Sequence, residues 1–151
     1  MERLGERGIR ALAVAKTNGS GTWEMAGLLT FLDPPRPDTK ATIDRARDYG
    51  VEVKMVTGDH LLIAKETARQ LGMGQDIRDA SMLPKLDADG KAPPDLGEYF
   101  DYVEATHGFA QVFPEHKFLI VEVLRRGGYK VCNVCVSVRP SGRVLVYVRV
   151  D

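Results

Sequence analysis

Apolar positions recur along the chain with two different spacings, and their alternation predicts the elements. Residues 9–15 and 23–32 are β-compatible apolar runs, and Thr17-Asn18-Gly19-Ser20-Gly21-Thr22 between them is turn chemistry, so the three segments predict a hairpin. Trp23 and Phe31 are expected to be core or edge hydrophobes of that hairpin. Asp33-Pro34-Pro35-Arg36-Pro37 follows, where prolines lock φ and donate no hydrogen bond, so neither a helix nor a central strand runs through this stiff hinge. Asp38 or Thr39 suits the N-cap of a helix that carries Ile43, Ala46 and Tyr49 on one face and stops at Gly50.

Residues 51–56 alternate as a strand and end in Thr57-Gly58-Asp59. Ala64, Ala68 and Leu71 then mark a helix over 61–71 that Gly72 terminates. Strand, glycine turn and helix make an α/β unit. Residues 74–94, rich in Asp, Gly, Pro and Lys, read as an exposed loop, followed by a short amphipathic helix with Leu96, Tyr99, Phe100 and Val103. A strand over 108–113, a helix opened by Pro114 with its apolar face in 118–124, and a stop at Gly127-Gly128 give a second α/β unit. From Tyr129 the pattern changes to a β-prone tail with Val131, Val134, Val136, Val138, Val144, Val146, Val148 and Val150, broken by Pro140-Ser141-Gly142 and followed by no helix.

Composition narrows the class. A chain of 151 residues, 44% hydrophobic and 28% charged, is one globular domain or part of one. Lys and Arg balance Asp and Glu at 21 each and form no basic stripe, which argues against a nucleic-acid partner. No apolar run approaches the roughly 18 residues needed to cross a bilayer, and the first residues resemble neither a secretion signal nor a transit peptide; the isolated chain is expected to be cytosolic. Cys132 and Cys135 are then expected to be thiols. Their C-x-x-C spacing has no second ligand pair for zinc and no following helix for redox chemistry. His60, His107 and His116 lack zincin spacing, and neither a nucleophile elbow nor a P-loop occurs.

Two places carry candidate chemistry. At Thr57-Gly58-Asp59 a strand becomes a helix, where a hydroxyl and backbone N–H groups can surround a phosphate and the helix dipole favours negative charge; taken alone, Asp59 fits an ordinary N-cap better. Lys117 lies in the first turn of the helix opened by Pro114, where a cation opposes the dipole unless an anion is near; a solvated surface lysine is the alternative. Both groups fall at the carboxyl ends of strands, where open α/β sheets bind ligands, so together they indicate a phosphate site.

Three segments in order, Asp33-Pro34-Pro35-Arg36, then residues 53–59 (VKMVTGD), then residues 109–117 (FAQVFPEHK), resemble signature segments of the P-type ATPases. Residues 51–74 and 108–117 are most similar to the plasma-membrane proton-exporting subfamily, and the resemblance covers about 8–131. It implies a partial haloacid-dehalogenase-like Rossmann fold. Residues 1–32 would be the last strands of the nucleotide-binding domain, 33–37 the hinge, 38–131 part of the phosphorylation domain and 132–151 a divergent tail. It also implies ATP hydrolysis with Mg²⁺ and an aspartyl-phosphate coupled to proton export, in a multi-pass plasma-membrane protein with this segment on its cytoplasmic side. By carry-over, Thr57 and Gly58 would contact the phosphoryl group, Asp59 would order the nucleotide geometry, Lys117 would neutralise phosphoryl charge, and Asp33 and Arg36 would steer domain closing.

The chain departs from that pattern in two ways. It has no D-K-T-G-T segment with the acceptor aspartate, and after Val131 it reads Cys132-Asn133-Val134-Cys135 where the family continues into the Mg²⁺-binding T-G-D-G-V-N-D. The expectation is therefore a catalytically incompetent fragment of a pump without a Mg²⁺ site, from a truncated or frameshifted reading. The alternative is a non-catalytic phosphate- or nucleotide-binding module or pseudogene product. In the family's fold the missing strand is central, so its loss is expected to leave two unpaired edges and a marginally stable, self-associating sheet unless the Val-rich tail fills the gap.

Overall fold

The computed structural model describes residues 2–32, 34–87, 89–138 and 142–149. A short helix α1 (Glu2–Gly5) leads into the antiparallel strands β1 (Arg10–Thr17) and β2 (Trp23–Phe31), paired from Arg10 opposite Phe31 to Thr17 opposite Trp23 with one bulge after Val14. The hairpin forms as predicted, and of the two places expected for its aromatics, core or edge, Trp23 and Phe31 take the edge. Trp23 is 69% exposed, and Leu12, Met25, Leu29 and Phe31 are exposed with it, because a two-stranded ribbon offers neither face a layer to pack on.

Helix α2 (Thr39–Asp48) begins where the sequence predicts and anchors through buried Ile43. Tyr49, expected on the same face, is 80% exposed: the helix has ended, and the chain turns through the left-handed Gly50, φ 74°. The alternation of β3 (Glu52–Thr57), α3 (Leu61–Gln70), β4 (Ile77–Asp79), α4 (Phe100–Ala105), β5 (Gly108–Ala110) and α5 (Pro114–Arg126) then builds the α/β body. Two 3-10 turns, Ala80–Met82 and Pro94–Tyr99, lie between β4 and α4. Residues 74–94 are thus not simply an exposed loop. They contribute the edge strand β4 and bury Ile77, Ala80 and Leu83, because burial there follows pairing with β5 rather than any periodicity in the sequence.

The main sheet has the order β4-β5-β3-β7-β6, with β6 (Tyr129–Val138) and β7 (Gly142–Arg149) at its far side. Strands β4, β5 and β3 are parallel, and β3 is buried throughout Val53–Thr57, as expected of a strand covered on both faces. Alternation along β3 divides the core. Val53 and Met55 pack with Ile43, Ala64, Ala68, Leu71 and Ile77, whereas Val56 packs with Phe109, Leu96, Val103, Leu119 and Leu124.

β7 occupies the slot between β3 and β6, antiparallel to both: Glu52 to Thr57 face Tyr147 to Gly142, and Tyr129 to Val134 face Arg149 to Val144. The expected pair of open edges is therefore absent. The tail returns as a hairpin strand and pairs with the facing edges of both neighbours, which is the filling of the gap that the sequence set against an unfilled sheet. Pro140 and Ser141, expected to break the tail, lie outside the described residues, as does Asp33 of the hinge.

Candidate phosphate site

Thr57 ends β3 and Ala110 ends β5, the parallel strand beside it, so the two following connections emerge together at the carboxyl edge of the sheet. They are bonded to each other. The Gln111 N–H donates to the Asp59 carbonyl at 2.9 Å and the Val112 N–H to the Thr57 carbonyl at 3.0 Å. Within the β3–α3 connection the buried Thr57 hydroxyl accepts from the Asp59 N–H at 3.1 Å, which fixes where its oxygen sits. Gly58 is exposed at the tip of this turn.

Asp59 is not the N-cap of α3. His60 holds that position with extended backbone, while the Asp59 carboxylate is hydrogen-bonded to Arg10 of β1. The ion pair joins the hairpin to the Thr57-Gly58-Asp59 turn across 49 residues of sequence. Arg10 carried no functional signal in the sequence, since the contact depends on how hairpin and body meet. Its partner Asp59 was legible and Arg10 was not.

Lys117 is the fourth residue of α5, half-buried, on the first turn that Pro114 opens. The turn is held at its start by the His116 Nδ1, which accepts from the Phe113 N–H at 3.2 Å. Because Val112 is bonded to Thr57, only the residues from Phe113 to His116 separate Lys117 from the stitched connection. A cation there is disfavoured by the dipole of α5 and favoured by an anion above the sheet edge. Gln111 also donates through its carboxamide to Asp79 at the end of β4. The backbone N–H of Ser81, at 2.8 Å, is the main cause that holds the Asp79 carboxyl below its ordinary range.

The hinge residues lie apart from this cluster in their contacts. Arg36 is exposed and pairs with Asp38 at 3.5 Å, and its carbonyl accepts from the Thr39 N–H at 3.1 Å; Asp33 lies outside the described residues. Among the described residues no group of three or more His, Cys, Asp or Glu side chains is gathered as a metal ion requires. Cys132 is an exposed free thiol, and the Cys135 side chain lies outside the described residues. No helix among the described residues is long and apolar enough to cross a membrane.

Comparison with known proteins places the chain. No family model matches it. It is 58% identical over 130 residues to "Probable proton ATPase 1A" of Leishmania donovani, covering 85% of this chain and 13% of that protein. It is 50% identical over 128 residues to "Plasma membrane ATPase" of Zygosaccharomyces rouxii, covering 85% and 14%. The protein of the same name from Dunaliella bioculata is 45% identical over 136 residues, 87% of this chain and 12% of that one. The chain therefore spans about an eighth of the length of these relatives. Over the matched span, with its mixed α/β body and preceding hairpin, the chain corresponds to one segment of the P-type proton ATPases.

Proposed function

We propose that this chain carries the phosphate-holding part of an ATP-driven proton pump and cannot hydrolyse ATP by itself. The carrying observation is the pair of hydrogen bonds that join the Thr57-Gly58-Asp59 turn to the connection leading to Lys117. In this reading the Thr57 hydroxyl and the Gly58 N–H hold phosphoryl oxygens, and Lys117 neutralises their charge. Asp59, through Arg10, ties the nucleotide-binding side to the phosphate turn, and Asp33 and Arg36 steer closing at the hinge. Phosphoryl transfer needs chiefly such positioning and charge compensation. The exposed apolar hairpin supports assigning residues 1–32 to a nucleotide-binding domain whose other strands would cover it. Residues 38–131 are then part of a haloacid-dehalogenase-like phosphorylation domain, with the hinge at 33–37 and a divergent tail over 132–151. The parent pump would sit in the plasma membrane with this segment on the cytoplasmic side, and would use ATP with Mg²⁺.

A second reading follows from β7. A sheet whose slot between β3 and β6 is filled from within the chain is compatible with a non-catalytic phosphate- or nucleotide-binding module. Calorimetric titration of ATP and inorganic phosphate into the chain and into Lys117→Ala tests both readings. Binding at millimolar ligand that the substitution abolishes supports the phosphate site; no binding, or binding indifferent to Lys117, refutes it. Lys117-dependent release of phosphate from ATP would overturn the claim of catalytic incompetence.

A further inference from the structure

Gln111 is the one non-glycine residue with a left-handed backbone among the described residues, φ 55°. A residue with a Cβ is disfavoured there and persists in that conformation only where its surroundings over-determine it. Here they do so from three sides. Its N–H donates to the Asp59 carbonyl at 2.9 Å, the next N–H donates to the Thr57 carbonyl at 3.0 Å, and its carboxamide donates to the Asp79 carboxylate. The ends of β3, β4 and β5 thus meet on one exposed residue. An extended Gln111 would continue the line of β5 and turn the next N–H, that of Val112, away from the Thr57 carbonyl, and α5 would start from a different place.

We propose that Gln111 is a positioning residue for phosphate capture, its left-handed backbone setting the first turn of α5, with Lys117, against the Thr57-Gly58-Asp59 turn. The ligand class is a tetrahedral oxyanion, and the inference rests on the phosphate reading above. Gln111 touches no ligand in this arrangement. It acts through Thr57 and Lys117.

Two substitutions separate backbone placement from simple loss of contacts. Gln111→Val puts a β-branched residue where φ must be positive, whereas Gln111→Gly removes the carboxamide and leaves the turn unstrained. Being exposed, the site tolerates both without loss of the core. Amide hydrogen exchange at positions 111 and 112 and titration with inorganic phosphate followed by ³¹P NMR are measured on the full chain, with Lys117→Ala as control. The expected result is exchange about tenfold faster and phosphate binding about tenfold weaker in Gln111→Val, with Gln111→Gly within about twofold of the parent on both readouts. Unchanged exchange in Gln111→Val overturns the inference, as does faster exchange with unchanged phosphate affinity. A parent chain that binds no phosphate, or binds it as well after Lys117→Ala, removes the phosphate reading and the inference with it; binding lost in Lys117→Ala but kept in Gln111→Val removes the inference alone.

Discussion

Raising the pH should stabilise this fold through Lys54. The side chain is 3% exposed in the middle of β3, and its Nζ donates to the carbonyl of Glu104 at 2.7 Å and to that of Thr106. Burial lowers its pKa from 10.5 to about 8, outweighing the opposite pull of Glu52, Glu104 and Asp76, while Arg78 adds to the lowering. The folded chain therefore releases this proton before the unfolded chain does, and between the two values the unfolded state binds more protons. Stability must then rise with pH. Linkage makes the gain about 2 kcal/mol between pH 7 and pH 9.5, approaching about 3 kcal/mol once both states are deprotonated. Urea unfolding of the chain and of Lys54→Met, followed by far-ultraviolet circular dichroism at several pH values in that window, isolates the effect. The variant's absolute stability combines relief of a buried charge with two carbonyls left without their donor, so the difference in pH slope is the informative quantity. Parallel stability curves for the two proteins would refute the reasoning, because they would mean that Lys54 ionises alike in the folded and unfolded chains.

Three further outcomes follow from the packing. Phe109→Ala, at a fully buried ring in the cluster under α4 and α5, should cost about 3–5 kcal/mol in urea unfolding. Gly108→Ala places a Cβ onto the Met55 carbonyl oxygen of the adjacent strand and should cost about 1–3 kcal/mol, whereas Gly97→Ala, which meets nothing, should be far milder in the same assay. Deleting residues 142–151 removes β7 and exposes the inner edges of β3 and β6, so sedimentation should show self-association and the urea transition should lose cooperativity; a monomer with an unchanged transition would contradict the closing role of β7.

The two α/β units were legible because each pairs a strand-length apolar run with a helix of 3.6-residue spacing and a glycine stop, at Gly72 and at Gly127-Gly128. Strand β4 was not legible: three residues with one fully buried apolar member, Ile77, carry no periodicity, and pairing with β5 alone makes them a strand. The β character of the tail and the gap it could fill were visible in the sequence, but its antiparallel course between β3 and β6 is a property of the assembled body. At the site, Thr57 and Lys117 announced themselves by position at strand ends. Arg10 did not, since its contact with Asp59 spans 49 residues, and neither did Gln111, whose residue type gives no hint of a left-handed backbone.

The place of β7 bears on the order in which the molecule can be assembled during synthesis. Its hairpin with β6 is a local pairing and can form quickly, but its pairing with β3 joins positions about ninety residues apart in the chain. Until the ribosome has delivered β7, β3 and β6 have both been translated and neither has its shared partner. The body can pack its helices in that interval, yet its sheet stays divided between β3 and β6. Any slowing of translation between β6 and β7 would prolong that divided state, and encounters between nascent chains on one messenger would be the occasion for mispairing.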